Sequence, residues 1–441
     1  MLVKYNIAAI FHIFYPMELS QLQNRRYKIF FFLINIIIYL IVFISLNWLQ
    51  FTPKSDEPHY WKTTLLFAKS LIPDLNLLKN YGELNTPLPF IIFGNLERIF
   101  KGGIFAGRLL NMILSFWITC IIGFAQPEHR KSSVLAICGL LLCPYYFRLS
   151  TYFYTDIIAT FFVFLGFVFY IRSFNIISSI AFILAIASRQ YMLVFPVSIL
   201  AFELFDVFKN QLYILRKRNK HHIKDSQLKN KNHNQIENNI FSTRLVMPLI
   251  ASLSILGWFI FFNGIAPQAG LARTNTPEVQ QSLFSVAPDS SLYFLACVGL
   301  YFAIPELCLF YTRLLFSPHI NAPKLLTLKN FSLAFILLML FMIFPPLQSH
   351  GLLTNIGQIL PNNFLMLTLY YVLALIGIVR FSHRIDIAFW ILLVNCTLMM
   401  KAFPWDKYVL PLLVVFWYLK SIHCLHQETP HNLTCPKYSQ I

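Results

Sequence analysis

The run IFFFLINIIIYLIVFISLNWL, residues 29–49, carries no charge, and Arg25, Arg26 and Lys28 stand immediately before it. As a helix it covers about 32 Å, close to the thickness of a bilayer's hydrocarbon core. Basic residues collect on the cytoplasmic side of a membrane. The three cations therefore hold the start of this helix inside, and Phe51 onward emerges on the other face. The 28 residues ahead of the run and the length of its apolar core exceed those of an ordinary cleaved signal peptide, so a retained signal-anchor is expected.

The rest of the chain repeats this pattern. Of 441 residues 57% are apolar or aromatic and only 12% charged, about half the charged share of a soluble domain, and the mean hydropathy is +0.62. Further apolar stretches fall near 104–124, 132–148, 151–172, 175–188, 190–208, 245–265, 292–316, 329–346, 364–381, 386–403 and 408–424. The expected fold class is all-α: a polytopic membrane protein of about 12 transmembrane helices, one domain over 1–441, both ends inside. A soluble enzyme, a disordered chain and a disulfide scaffold are excluded, and a barrel would alternate apolar and polar residues. The segment 175–208 leaves an alternative open, because one long tilted span there would invert everything downstream.

The net charge of +17 would point to nucleic acid in a soluble protein. Here it marks cytoplasmic loops, so membrane lipids and no nucleic acid are expected partners. The stretch 209–244 holds nine Lys or Arg against Asp225 and Glu237 and is expected to be a flexible cytoplasmic loop. The eight cysteines lie mostly in apolar stretches and are read as small packing residues. The histidines show no metal-ligand spacing; His221 and His222 sit in the basic loop. No P-loop or GxGxxG is present, so a nucleotide-driven pump has no visible engine.

Between the first two confident spans lies a long outer segment, 51–103, too long for a simple turn. Within it, 60–72 and 88–100 have the apolar spacing of helices lying in the interface plane, and such a loop can roof a cavity open to the bilayer. Asp56 and Glu57 follow the outer end of the first span, and Asp156 stands at the outer start of the fourth. Acids at that depth usually face a polar cavity. Two carboxylates at one level could serve as general base and partner, although a helix-capping pair and an N-terminal helix acid account equally well for them. Arg189-Gln190, Arg273, His350 and Asp406-Lys407-Tyr408 fall on the same side. They could hold a lipid phosphate, or simply snorkel to the interface.

Taken in order, Asp56-Glu57 with His59, the Thr86-Pro87-Leu88-Pro89 turn, Tyr154-Thr155-Asp156 with Phe161-Phe162, Arg189-Gln190 and Asn263-Gly264 resemble the dolichyl-phosphate-glucose-dependent α-1,2-glucosyltransferases. These are GT-C-fold membrane enzymes that use polyprenyl-phosphate sugars. A more distant likeness is to protein mannosyltransferases and lipid A aminoarabinose transferases. The chain departs from the family where Tyr81-Gly82-Glu83 replaces a Trp-Asp-Pro element, where Tyr191-Met192 replaces Thr-Asn, and where Asp406-Lys407-Tyr408 only loosely matches an Asp-Asn-Arg-His-Tyr run.

The resemblance implies transfer of a sugar from a polyprenyl-phosphate donor to a glycan, protein or lipid acceptor, with inversion. It places the site in the 51–103 loop, on the extracytoplasmic or lumenal face of a bacterial plasma membrane or the endoplasmic reticulum. In that reading Asp56, Glu57 and Asp156 are catalytic, Asp56 being the base. His59, Arg189, Gln190, Arg273 and Lys407 bind substrate or its phosphate, and no metal or cofactor is needed. The competing reading is a transporter or lipid-linked glycan flippase without transferase activity. Such carriers place their charges at mid-bilayer on broken helices or inverted repeats, and no repeat is visible. A ligase that moves a whole glycan keeps the fold but would need a larger acceptor loop than 266–291.

Overall fold

The computed structural model describes residues 21–125, 130–220, 243–272, 278–281, 284–310 and 328–425. Among them every regular element is helical, apart from an isolated bridge between His350 and Trp405. The principal helices are α1 (Gln21–Ser45), α2 (Glu57–Phe67), α3 (Leu75–Asn80), α4 (Leu88–Phe100), α5 (Gly103–Phe124), α6 (Arg130–Leu141), α7 (Pro144–Thr151), α8 (Asp156–Ile171), α9 (Asn175–Ser188) and α10 (Val194–Lys220). Then come α11 (Thr243–Phe262), α12 (Pro288–Phe310), α13 (Leu328–Ile343), α14 (Leu352–Gln358), α15 (Asn363–Ser382), α16 (Ile387–Met399) and α17 (Leu410–Ser421).

Among the described residues six helices are long and apolar enough to cross a bilayer: residues 26–45 of α1, α5, Gln190–Tyr213, α11, α12 and α15; the bent pair α6 and α7 adds a seventh if it is one span. That is fewer than the expected twelve. The difference lies chiefly in α8, α9, α13 and α16, which are apolar but only 10–17 residues long, short of the roughly 20 that a straight crossing needs. The doubtful segment 175–208 is not one helix. Arg189 is extended (φ −154°, ψ 127°) and ends α9 before a 3₁₀ turn, Gln190–Leu193, leads into α10. The helix then continues through residue 220, into the start of the expected loop 209–244, on good helix formers such as Leu, Lys, Arg and Gln. Residues 221–242 and the end of the expected 292–316 span lie outside the described residues. In the segment 51–103, helix α4 has the expected limits and α2 begins three residues before the expected 60–72 and ends at Phe67.

The packing follows from spacing. On α1, Phe31, Asn35 and Tyr39 recur every fourth residue and are buried, while Phe30, Leu33, Ile37, Leu40, Ile41 and Ile44 stay exposed. An apolar exposed face of that size suits lipid rather than water. The buried stripe meets its complement on α5: Phe31 lies over Gly123, Asn35 donates to Thr119 at 2.8 Å, and the Tyr39 ring meets Phe116 edge-on. A Cβ on Gly123 would lie 2.3 Å from the Phe31 ring. Helix α17 is buried all round and forms the centre of the bundle, with Trp417 filling the space over Gly139 of α6. Helices α12 and α15 approach through Gly299 and Gly377, where a π-helical turn at Gly299–Ala303 brings backbone against backbone. Of the cysteines, Cys120, Cys143 and Cys297 are buried free thiols, whereas Cys424 is disulfide-bonded and departs from a pure packing role.

At the far end of α17 from Asp406, Glu306 of α12 accepts from Arg380 of α15 at 2.5 and 2.7 Å and pairs with Lys420 of α17 at 2.7 Å. One carboxylate thus neutralises two cations from separate helices. Glu306→Ala leaves both without it, and breaking such a pair costs about 3–5 kcal/mol. Thermal unfolding in detergent is expected to show a clearly lower Tm for Glu306→Ala than for Glu306→Asp.

Candidate functional site

The site begins with how Glu57 is held. Its carboxylate is fully buried and accepts Arg108 Nε at 2.8 Å, Arg108 Nη2 at 2.7 Å, the Lys54 amide at 2.8 Å and the Phe153 amide at 2.6 Å. Arg108, one turn into α5, uses its remaining nitrogen on the carbonyls of Leu49 and Phe51 at 2.7 and 2.8 Å, and its guanidinium carbon lies 3.7 Å from the centre of the Phe51 ring. This fork ties together the end of α1, the start of α2 and the turn before α8. Asn111, one turn further along α5, donates to the carbonyls of Tyr152 and Tyr154, both at 2.8 Å, and fixes the same turn. Glu57 is therefore occupied by structure, and its acid neighbour is the one left accessible.

Asp56 caps α2, and Asp156 opens α8. The clamp places them at one end of the bundle, and each meets a cation. Lys407 Nζ lies 3.2 Å from Asp56 Oδ2, and Arg189 Nη2 lies 2.8 Å from Asp156 Oδ2. Arg189 also donates from Nε to Thr155 Oγ1 at 2.9 Å. Lys407 rests 3.5 Å from the centre of the Trp405 ring. Burial lowers the Lys407 pKa from the ordinary lysine value, opposed by the nearby carboxylates of Asp156 and Asp56. The two ion pairs thus share one field. The side chains of Lys407, Arg189 and Asp156 are 5%, 4% and 1% exposed, against 35% for Asp56. Asp156 Oδ1 is buried without a hydrogen-bond partner among the described residues.

Tyrosines line the space between the pairs. Tyr154 accepts the Asp56 amide at 3.4 Å and meets Tyr60 edge-to-face, while Tyr191 meets Tyr408. Burial raises the Tyr154 pKa to about 12, so its phenol is a neutral hydrogen-bonding group. Asn85 reaches Tyr60 and Thr155, both at 3.4 Å, linking the segment between α3 and α4 to the cluster.

The other residues named from sequence fall differently. Gln190 donates to the Leu84 carbonyl at 2.7 Å and the Ile265 carbonyl at 3.5 Å, a latch between loops. His59 is exposed on α2. Arg273 lies outside the described residues. His350 sits beside the cluster with its ring 4.7 Å from that of Phe403. Asp406 is buried; it accepts Tyr301 Oη at 2.9 Å and the Leu353 amide at 3.1 Å. Gly351, at φ +121°, makes room for it, since a Cβ there would lie 1.9 Å from Asp406 Oδ1. Sequence reading missed Arg108, Asn111, Tyr60, Asn85 and Trp405. Only Arg108 carried a signal, a lone charge inside an otherwise uncharged helix. Among the described residues no group of three or more His, Cys, Asp or Glu is placed to hold a metal ion.

Residues 95–268 match the sequence model of the DIE2/ALG10 family, the dolichyl-phosphate-glucose-dependent α-1,2-glucosyltransferases. The matched stretch contains Arg108, Asp156, Arg189 and Gln190; Asp56 and Lys407 lie outside it. No curated protein and no solved structure matches the chain.

The clamp makes a prediction of its own. Arg108→Met strands the buried Glu57 carboxylate at a cost of about 3–5 kcal/mol, and the double variant with Glu57→Gln removes the stranded charge. In detergent melts the single variant is expected to lose more Tm than the double one.

Proposed function

Starting from the match to the DIE2/ALG10 family, we propose that this chain is an inverting glycosyltransferase that moves a sugar from a polyprenyl phosphate to a lipid-linked glycan on the extracytoplasmic or lumenal face. In this reading α8, α9, α13, α16 and α17 also cross the membrane, tilted or in a locally thinned bilayer, which brings the count to twelve. Arg130, Lys131, Arg244, Lys329, Arg380 and Arg384 then fall at the cytoplasmic ends. Helices α2 and α4 lie in the opposite interface. A carrier would be expected to hold its charges at mid-membrane; here the Asp56 group gathers at helix ends.

The carrying observation is the difference in exposure within one charged cluster. Asp56 is the partly open carboxylate, its counter-ion Lys407 is buried, and behind them Asp156–Arg189 is closed. The acceptor hydroxyl approaches Asp56 and gives up its proton as its oxygen bonds to C1. The bond from C1 to the phosphate oxygen breaks on the opposite side, and the phosphate leaves with the electron pair. Lys407 and Arg189 balance the charge that grows on it. A phosphate is already a stable leaving group, so a strong general acid is unnecessary. Asp156, closed behind this pair, holds Arg189 in place, and Glu57 positions Asp56 without touching substrate.

The direct test is to incubate the purified protein with polyprenyl-phosphate hexoses and lipid-linked oligosaccharide and to measure released polyprenyl phosphate. A positioned base supplies about 10²–10⁴ in rate. Asp56→Asn is expected to lose that much kcat in protein that stays folded, with some loss of Tm because Lys407 loses its carboxylate partner; turnover within a few-fold of wild type removes Asp56 from the mechanism. Lys407 sets an alkaline limit. Its lowered pKa means that its charge is lost at a lower pH than for an ordinary lysine near 10.4. The rate is expected to fall as pH rises through that value, and Lys407→Arg, if active, to hold its rate to higher pH in a pH–rate profile.

A further inference from the structure

Beside the charged cluster, at the same end of the bundle, lies a cavity of about 230 Å³ lined by Tyr145, Arg148, His350, Leu352, Asn355 and Trp405. It is smaller than the roughly 300–1,000 Å³ of sites for drug-sized ligands. Its walls combine three flat aromatic faces with a guanidinium and an amide. That combination suits a ring with apolar C–H faces and a rim of hydroxyls: the aromatics stack on the face, and Arg148 and Asn355 bond adjacent oxygens.

Two walls lead to Asp56. Trp405 carries the Lys407 ammonium at 3.5 Å, and that ammonium touches the Asp56 carboxylate. On the other side the Arg148 guanidinium lies 5.6 Å from the centre of the Tyr152 ring, Tyr152 stacks on Tyr154, and Tyr154 accepts the Asp56 amide. Arg148, His350 and Asn355 are exposed, so the cavity is open on that side.

We infer that this cavity is the acceptor subsite: it holds a sugar ring of the acceptor glycan so that a hydroxyl projects past Trp405 to Asp56. The inference rests on the transferase reading, and two independent measurements separate their failures. In the first, tryptophan fluorescence of the detergent-solubilised chain is titrated with methyl α-glucoside, methyl α-mannoside and an α-linked glucose disaccharide, with inorganic phosphate as comparator. At least one saccharide is expected to quench saturably. The signal should vanish in Trp405→Phe and weaken about tenfold in Asn355→Ala and Arg148→Ala, the effect of one lost hydrogen bond. In the second, the same two alanine variants are assayed for transfer. The acceptor KM is expected to rise by a similar factor while the donor KM stays within about twofold, in protein with wild-type Tm. Quenching by phosphate alone, no quenching, or a raised donor KM with an unmoved acceptor KM overturns the subsite. If the wild type transfers no sugar, the transferase reading fails, and the saccharide titration still decides the cavity.

Discussion

The buried pairing of Glu57 with Arg108 is the contact on which the arrangement of this molecule depends. Residues 49–51 and 54–57 meet the distant Phe153 and Arg108 on one bidentate ion pair. Burying both charges is costly. The cost is offset because nearly every donor and lone pair of the two groups is used, partly on backbone groups at helix ends that would otherwise lack partners. The consequence is positional. Asp56 stands at the N-cap of α2, Asp156 follows the turn at Phe153, and the clamp fixes both at the same end of α5.

The charges it brings together are balanced pairwise. Asp56 with Lys407 and Asp156 with Arg189 place two carboxylates beside two cations, so neither acid is stranded in a medium where a lone charge would be expelled. Pairing alone would make an inert network, as in the Glu306–Arg380–Lys420 group at the other end of α17. The distinction is access. Glu306 is closed and saturated, while Asp56 keeps about a third of its side chain open, and Asp156 retains an unsatisfied oxygen. A group that is to exchange a proton needs a lone pair that the fold has not already taken.

This contrast also marks how far the sequence could be read. Apolar runs such as 29–49 declare themselves because hydrocarbon tolerates no unpaired charge, and the helix at 88–100 shows in its apolar spacing. Asp56, Asp156, Arg189 and Lys407 were legible as rare charges at span ends. The division of labour between Asp56 and Glu57 was not, since adjacent acids look alike until Arg108 selects one of them. Gln190 likewise reads as a substrate ligand beside Arg189, yet it holds loop carbonyls. Apolar composition shows what can be buried but not what crosses: α8, α9, α13 and α16 are apolar and shorter than a straight span.

The segment before α17 joins the cavity to the charged cluster. Asp406 is buried and accepts the Leu353 amide, His350 donates its amide to the Pro404 carbonyl at 2.9 Å, and Leu352 donates to Tyr145 Oη at 2.9 Å. These bonds fix residues 350–353 against 404–406. They set Trp405 between the cavity and Lys407, so the aromatic wall and the ammonium belong to one rigid unit. Gly351 lies against the Asp406 carboxylate with no room for a Cβ, so the two segments pack in direct contact. A ring held on Trp405 would then meet the Lys407–Asp56 pair at a fixed offset. Under the proposed function such fixed placement would lower the entropic part of a bimolecular barrier, and it would come from a few residues preceding the central helix rather than from the loop that carries Asp56.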